Sequence, residues 1–383
     1  MSGVRGGEFE RLVARFNASQ KQFRVVPTYK GAYDEAVVEA VMGRRSPRAP
    51  HIVQASELGA AYLLEQKDLV RPLWQVVGGT EAAFGAEELL DAEGRLLALP
   101  LGRATPVLYY NRDAFRAAGL DPAKPPATWY ELVPTLAALV GAGSDCALTM
   151  AWPASLYLEN MAAWHNQAFA DDRLTFNNRL AMRWVSTLAT WQRSGYFTYS
   201  SERGVAEARF AAGECALLAA SSANYAELRG RVRFDLGIAQ FPYYDDFDGA
   251  PLHTLSSGAA LWVIGGRSAG DYAGVARFLA FLAQPEIQAQ WHQRTGLVPL
   301  SAAAYDLTRK QGFYAAQPGH EVAVRQLMTR GVPNWKSLRL SQLPQVRSII
   351  DEEIESAWLG KKSTVDALNA AVTRGNAYLD RIK

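Results

Sequence analysis

The chain of 383 residues has few of the residues that enzymes and metal proteins use at their active sites, with two cysteines and five histidines. The histidines form no HExxH or HxH pair and the cysteines form no CxxC pair, so the sequence indicates no metal site. The GxSxG, Walker and GxGxxG sequences, which position nucleophiles, phosphates or dinucleotides, are absent as well. The sequence therefore predicts no cofactor and no metal, and it gives little support to an enzymatic function.

The chain also lacks a charge excess of either sign and a long apolar run. Its net charge of +2 gives no reason to expect nucleic acid or an acidic membrane surface as a partner. There is no stretch of eighteen apolar residues, and the first residues do not resemble a basic-plus-apolar signal peptide. The length instead suggests two globular domains.

The N-terminal residues predict a helix over 8–17 with no strand before it. Phe9, Leu12, Val13 and Phe16 recur at helical spacing. Because an α/β domain normally begins with a strand, we interpret Met1 as an internal methionine, with a leader and a first strand missing from this numbering. The alternative is a cytoplasmic protein.

The two cysteines each lie in an apolar run. We expect Cys146 and Cys215 to be buried free thiols. A disulfide is the alternative, and it requires that their strands are neighbours in space and that the compartment is oxidising.

The first hundred residues alternate between predicted strands and helices. Strands are predicted at 23–29 and 51–56, and helices at 34–42 and 60–66. This alternation predicts a parallel sheet with helices on its faces. A second αβ region follows, and the strand at 258–265 then returns to the first pattern, so the first lobe is interrupted and rejoined. The crossing strands would act as hinges around a central cleft.

Residues 105–132 are the most informative segment. A buried strand from Val107 to Tyr110 is followed by a helix that stops at Gly119. Thr128 and Glu131 then form a capping box that opens a second helix. This order resembles the point where extracellular solute-binding proteins of ABC importers cross from one lobe to the other.

Further segments make the resemblance narrower, and together the chain is similar to the glycerol-3-phosphate-binding proteins of Ugp-type ABC importers. These segments are VPTYKGAYDE (26–35), TPVLYYNRDAFRAAGLDPAKPPATW (105–129), YLENMAAWHNQAFA (157–170), SGAALWV (257–263), the run at 275–314 and LRLSQLPQVRSIIDEEIESAWLGKK (338–362).

The resemblance implies a bilobal α/β fold of the type II periplasmic-binding-protein class, with crossing hinge strands and the first strand missing. The N-terminal lobe would be 1–105 plus 258–304, and the C-terminal lobe 106–257 plus 305–383, with the ligand cleft between them. The protein would be a monomer, not an enzyme. It would lie in the periplasm or be lipid-anchored outside the cytoplasm, and would deliver a small-molecule glycerol phosphate derivative to the transmembrane subunits of an ABC permease.

The resemblance also assigns ligand contacts. Arg347 would bind phosphate, Glu57 and Tyr33 would bind glycerol hydroxyls, and Trp152 would form a wall. The family's contacts fall on Tyr33, Glu57, Trp152, Ser221, Gly258 and Arg347. Structural roles are the alternatives: Tyr33 as a helix cap, Glu57 as a helix N-terminal charge, and Arg347 as a partner of Asp351. An exposed helix face would explain Asp351, Glu352 and Glu353.

Three departures from the family pattern concern the ligand. Arg103 and Ala104 stand where the family has two serines, Leu297 replaces a tyrosine, and Ser155 replaces a second tryptophan. Losing two phosphate donors favours a ligand with less phosphate charge, unless Arg103 replaces them, and Ser155 leaves room for a head group. We expect a glycerophosphodiester such as glycerophosphocholine rather than glycerol 3-phosphate. The competing hypotheses are a sugar or oligosaccharide binder and, from another class, a glycerophosphodiester-cleaving enzyme.

Overall fold

The chain is divided into two compact units. The first takes its described residues from Met1–Ala104, Ser256–Gln317 and Arg339–Pro344, and the second from Thr105–Leu255, Pro318–Leu338 and Gln345–Lys383. This is a computed structural model, and it describes residues 3–31, 33–44, 46, 49–78, 89–91, 93–151, 153–252, 254–328 and 343–382.

The described residues form the following strands and helices. The strands are β1 (Ile52–Ala55), β2 (Leu99–Ala104), β3 (Pro106–Asn111), β4 (Cys146–Met150), β5 (Phe197–Thr198), β6 (Cys215–Ser221), β7 (Leu236–Gln240) and β8 (Ser257–Val263). The helices are α1 (Gly3–Ser19), α2 (Tyr33–Met42), α3 (Glu57–Glu65), α4 (Leu73–Val77), α5 (Arg112–Ala117), α6 (Trp129–Gly141), α7 (Ser155–Trp164), α8 (Arg179–Arg193), α9 (Val205–Ala211), α10 (Tyr225–Arg231), α11 (Ala269–Leu282), α12 (Pro285–Thr295), α13 (Ala302–Lys310), α14 (Phe313–Ala316), α15 (Glu321–Arg325), α16 (Leu343–Trp358) and α17 (Thr364–Arg381).

The sheet of the first unit has the order β1–β8–β2, and both pairings are antiparallel. The prediction of a parallel sheet was therefore wrong for this unit. The segment at 23–29, predicted as a strand, has no regular structure; the Val25 N–H donates to the side chain of Asn17 instead, and Val26 and Tyr29 are exposed. Alternation along the sequence could not reveal that the partner of β1 comes from residues 257–263, which run in the opposite direction.

Helix α1 supports the spacing argument made from the sequence. Leu12, Val13 and Phe16 are buried, and the ring of Phe16 packs edge-on against Phe278 with 5.1 Å between centroids. Edge-to-face aromatic contacts of this kind add to the free energy gained from burial. The predicted helix at 8–17 is thus confirmed, with longer bounds at both ends.

The sheet of the second unit has the order β5–β4–β6–β3–β7. Strand β4 runs parallel to β5 and β6, whereas β3 is antiparallel to both of its neighbours. All six residues of β3 are buried. The capping box is present as predicted: Thr128 accepts a hydrogen bond from the Glu131 N–H, and the Glu131 carboxylate accepts one from the Thr128 N–H. The segment 105–132 therefore folds as its sequence indicates.

Tryptophan side chains fill much of the core. Trp129, Trp184 and Trp358 form a chain of ring contacts in the second unit, with centroids about 6 Å apart. Trp262 and Trp291 are fully buried in the first unit. Aromatic abundance in this sequence therefore reflects packing, and by itself it does not argue for a sugar-binding surface.

The assignment of residues 305–317 differs from the prediction. The sequence placed this segment in the C-terminal lobe, whereas in the structure it belongs to the first unit. Helix α13 packs on α12 of that unit, so it continues the first unit after α12 ends. None of the helices in the described ranges combines the length and apolar character needed to cross a bilayer.

The two cysteines are joined by a disulfide, so the expectation of two free thiols was wrong. Cys146 and Cys215 occupy directly paired positions on the parallel strands β4 and β6, with 4.4 Å between their Cα atoms. The alternative that required neighbouring strands is the one the structure shows. The bond links the centre of the second unit's sheet covalently across 69 residues of sequence.

Replacing both cysteines by alanine should lower the free energy of unfolding by about 2–4 kcal/mol, because the bridge restricts the unfolded chain over a long loop. Urea unfolding of the double variant and the wild type measures the difference. Two reactive thiols in wild-type protein unfolded without reductant would contradict the disulfide itself.

Candidate functional site

Three of the predicted ligand contacts cannot be placed by their side chains. Tyr33 and Glu57 are the first residues of α2 and α3, and their side chains lie outside the described part of the structure. Trp152 lies outside the described residues altogether. The description of the site therefore rests on the remaining predicted residues, taken unit by unit.

Arg347, the predicted phosphate ligand, forms a bidentate ion pair in the second unit. Its Nε and Nη2 each donate to one carboxylate oxygen of Glu159 on α7, both at 2.7 Å. The side chain of Glu159 is 5% exposed and that of Arg347 is 15% exposed. A parallel pair of charge-assisted hydrogen bonds is a strong and directional arrangement. It fixes the plane of the guanidinium, and it is the contact found in place of the alternative pairing with Asp351.

Asp351 lies one helical turn after Arg347 and approaches the same helix, α7. Its Oδ1 accepts a hydrogen bond of 2.7 Å from the backbone N–H of Ser155, the first residue of α7. The free N–H groups of a helix N-terminus favour a carboxylate. Ser155 itself is completely buried, so α7 and α16 are joined at both Ser155 and Glu159.

The prediction that an exposed helix face explains the acidic run on α16 was wrong for two of its three members. Asp351 is 7% exposed and Glu353 is 2% exposed, whereas the side chain of Glu352 is 56% exposed. Glu353 accepts hydrogen bonds from Arg374 and Lys362. Consecutive residues on one helix point in different directions, so Asp351, Glu352 and Glu353 cannot all lie on one exposed face.

The pKa of Asp351 reflects its burial. Burial raises the pKa from its ordinary value of 3.8 to about 7, against the opposing hydrogen bond from Ser155. The nearby carboxylate of Glu159 raises it further, and the charge of Arg347 lowers it. The protonation state of the Asp351 carboxyl therefore changes near neutral pH, close to Arg347, the predicted phosphate-binding residue.

Ser221 ends β6 and is partly exposed. Its Oγ accepts a hydrogen bond from the Ala223 N–H at 3.2 Å, which caps a short 3₁₀ turn. A hydroxyl that accepts one hydrogen bond keeps its own O–H as a donor, which is the role predicted for Ser221. The next residue, Ser222, exchanges two hydrogen bonds with Thr105, at 2.8 and 3.2 Å.

Arg103 lies in the first unit and is used as a brace within that unit. Its guanidinium donates to Ser256, through Nε to Oγ at 3.1 Å and through Nη2 to the carbonyl oxygen. Nη1 donates to the carbonyl oxygen of Gly258 at 3.2 Å. The side chain is 1% exposed. These contacts hold the start of β8 against β2.

Gly258 has a backbone that only glycine can adopt here. Its φ is +134°, and a Cβ at this position would lie 2.2 Å from the carbonyl oxygen of Gly102. The β2–β8 pairing shifts its register just before Gly102, which brings the two backbones together. The glycine is therefore required by strand packing, whatever ligand contact its N–H makes.

Glu159 was not predicted from the sequence, and Asp351 was predicted on an exposed face although it is buried. The signal for Glu159 was present, because it is the one charged residue of the segment YLENMAAW. A carboxylate on an apolar helix that becomes buried must find a cation. Which cation it finds depends on the packing of α7 against α16, about 190 residues apart in sequence. The pairing of Glu159 with Arg347 could not be predicted from the sequence for this reason. Among the described residues, no three His, Cys, Asp or Glu side chains are grouped to hold a metal ion.

The chain belongs to the bacterial extracellular solute-binding protein family, whose model matches residues 11–321. Its relatives include the sn-glycerol-3-phosphate-binding periplasmic protein UgpB of Yersinia enterocolitica, at 40% identity, and that of Salmonella typhimurium, at 39%. These alignments cover all of this chain and 91% and 92% of the relatives.

Solved structures agree with this assignment. UgpB from Mycobacterium tuberculosis in complex with glycerophosphocholine gives a TM-score of 0.79 at 22% identity, over 98% of this chain and 95% of that one. The cyclic alpha-maltosyl-1,6-maltose binding protein from Arthrobacter globiformis gives 0.82 at 20% identity, over 100% and 97%. The predicted fold class is confirmed. The family membership also confirms that the chain is a solute-binding protein of an ABC importer and not an enzyme.

Replacing Gly258 by alanine should destabilise the protein by roughly 3 kcal/mol, since the new Cβ meets a backbone oxygen and the φ angle is strained. Gly266→Ala is the matched control: its φ is also positive, +74°, but no atom lies within 4 Å of its Cβ position. Thermal unfolding of both variants measures the difference, and equal melting temperatures would contradict the close approach of β2 and β8.

Replacing Asp351 by asparagine should change how stability depends on pH. Between about pH 4 and pH 7 the folded wild type holds a proton that the unfolded chain has released, so its stability falls as pH rises, by up to about 1.4 kcal/mol per pH unit. Asparagine keeps the acceptor for the Ser155 N–H and does not titrate. The variant should therefore gain stability relative to wild type from pH 5 to pH 8, in urea unfolding at each pH. The exposed Glu352→Gln is the control, and parallel curves for D351N and wild type would count against the raised pKa.

Proposed function

We propose that this protein captures a glycerophosphodiester, with a glycerophosphocholine-like compound preferred over glycerol 3-phosphate, and delivers it to the permease of an ABC importer. Relatives named for glycerol 3-phosphate align with the whole chain at 39–40% identity. A structure of the same fold was solved with glycerophosphocholine. The names of these relatives and the ligand of that structure both point to a ligand that contains glycerol and phosphate.

The bidentate pair of Arg347 and Glu159 carries the choice between the two ligands. The guanidinium already faces one carboxylate at 2.7 Å, so the charge available to a phosphate is partly compensated. At an effective dielectric constant of about 20, two unit charges roughly 5 Å apart interact with about 3 kcal/mol. Each further negative charge on the phosphate is therefore costly beside Glu159, and a diester carries one charge where a monoester carries nearly two.

The positions that depart from the family pattern support the same choice. Ala104 and Leu297 are buried apolar side chains, and neither can donate a hydrogen bond to phosphate oxygens. Arg103, considered as a replacement donor, directs three of its N–H groups to Ser256 and Gly258. A ligand with fewer phosphate charges needs fewer of these donors.

We further propose that the protein works outside the cytoplasm, in the periplasm or tethered by a lipid, as a monomer that docks on the transmembrane subunits. Its relatives are periplasmic proteins. The disulfide between Cys146 and Cys215 supports this location, since such bonds persist in oxidising compartments.

Isothermal titration calorimetry of the wild type with glycerophosphocholine, glycerol 3-phosphate and maltose tests the proposal. We expect glycerophosphocholine to bind at least about tenfold more tightly than glycerol 3-phosphate, and maltose not to bind, because a diester avoids the second charge beside Glu159. A tenfold ratio corresponds to about 1.4 kcal/mol. Tighter binding of glycerol 3-phosphate would reject the diester preference, and binding of maltose alone would favour the sugar hypothesis.

A further inference from the structure

Glu159 is a buried carboxylate on an otherwise uncharged helix. It is the single charged residue of α7, and it is 4% exposed. Burying a carboxylate is costly unless a cation and hydrogen bonds compensate it. Arg347 supplies that compensation here, so the burial of this carboxylate and the orientation of the guanidinium depend on each other.

The charges around Arg347, the predicted phosphate-binding residue, bear on the charge of the ligand. Arg347 has one carboxylate on its Nε–Nη2 edge, and a second carboxyl, Asp351, lies one helical turn further on. Two carboxyl groups therefore share the neighbourhood of one guanidinium. The carboxylate of Glu159, and that of Asp351 when it is ionised, repel a ligand with two negative charges more strongly than a ligand with one.

We propose that Glu159 is a positioning residue that acts through Arg347 and sets the selectivity of the site for monoanionic phosphodiesters over dianionic phosphate monoesters. It fixes the plane of the guanidinium and compensates its charge. This inference rests on the proposed function, and it assigns the discrimination to a residue that does not itself belong to the predicted ligand contacts.

The variant Glu159→Gln tests the proposal. Glutamine has the same shape and keeps one oxygen that accepts from Arg347, but it removes the negative charge. The dissociation constants of glycerophosphocholine and glycerol 3-phosphate are measured for variant and wild type. We expect the preference for the diester to fall about tenfold or more in the variant, mainly because glycerol 3-phosphate binds more tightly. A merely structural role would weaken both ligands together and leave their ratio unchanged.

Glu353→Gln is the matched control. Glu353 is equally buried and is also paired with an arginine, Arg374, on the neighbouring helix α17. The same chemical change there should lower the melting temperature without changing the ratio of the two dissociation constants. A folded E159Q with the wild-type ratio overturns the proposal, as does an E353Q that changes the ratio to the same extent.

A second measurement needs no variant and applies if E159Q does not fold. The methyl ester of glycerol 3-phosphate is a monoanionic diester without a cationic head group. Wild-type protein should bind it more tightly than glycerol 3-phosphate, since only the second charge has been removed. Equal or weaker binding of the methyl ester overturns the inference. If the wild type binds none of the glycerol phosphate compounds, the proposed function fails instead, so the two failures can be told apart.

Discussion

A guanidinium that is largely removed from water must find hydrogen-bond acceptors inside the protein, and the described residues include such an arginine in each unit. Arg103 in the first unit donates to Ser256 and Gly258 at the start of β8. Arg347 in the second unit donates to Glu159 and so joins α16 to α7. In both units the cation links segments that are more than 150 residues apart in sequence. Removing the arginine from water is costly, so acceptors are required. The contacts are directional because the acceptors have to match a rigid planar fork.

The described contacts of Arg347 include a carboxylate, and this bears on its predicted role in ligand binding. Arg103 donates to hydroxyl and carbonyl oxygens of Ser256 and Gly258, and these contacts stabilise the pairing of β2 with β8. Arg347 is held by a carboxylate, so its charge is compensated as well as its geometry fixed. A compensated cation distinguishes ligands by how much negative charge they bring. Glu159 therefore affects both the orientation of Arg347, the predicted phosphate-binding residue, and the charge of the molecule that this arginine can bind.

Features that depend on residues close together in the sequence were predicted correctly. The helix at α1 and the capping box at Thr128 depend on residues a few positions apart, and both are present in the structure. The direction of strand pairing and the fate of Cys146 and Cys215 depend on partners far along the chain, and there the predictions failed. The site shows the same division. A family resemblance could indicate Arg347 as a ligand contact, but the burial of Asp351 and the pairing of Glu159 arise from the packing of α7 on α16, which no local pattern encodes.

The middle position of β8 also constrains the order in which the chain can fold. Both β1 and β2 pair with β8, and β8 follows the whole Thr105–Leu255 segment of the second unit. During synthesis or export, the first hundred residues therefore emerge long before their central strand exists. A fragment ending before Ser257 would leave the sheet edges of β1 and β2 without this partner, and exposed edges invite pairing with other chains. All five strands of the second unit's sheet, and the disulfide between β4 and β6, precede β8 in the chain, so they have emerged before the sheet of the first unit can be completed.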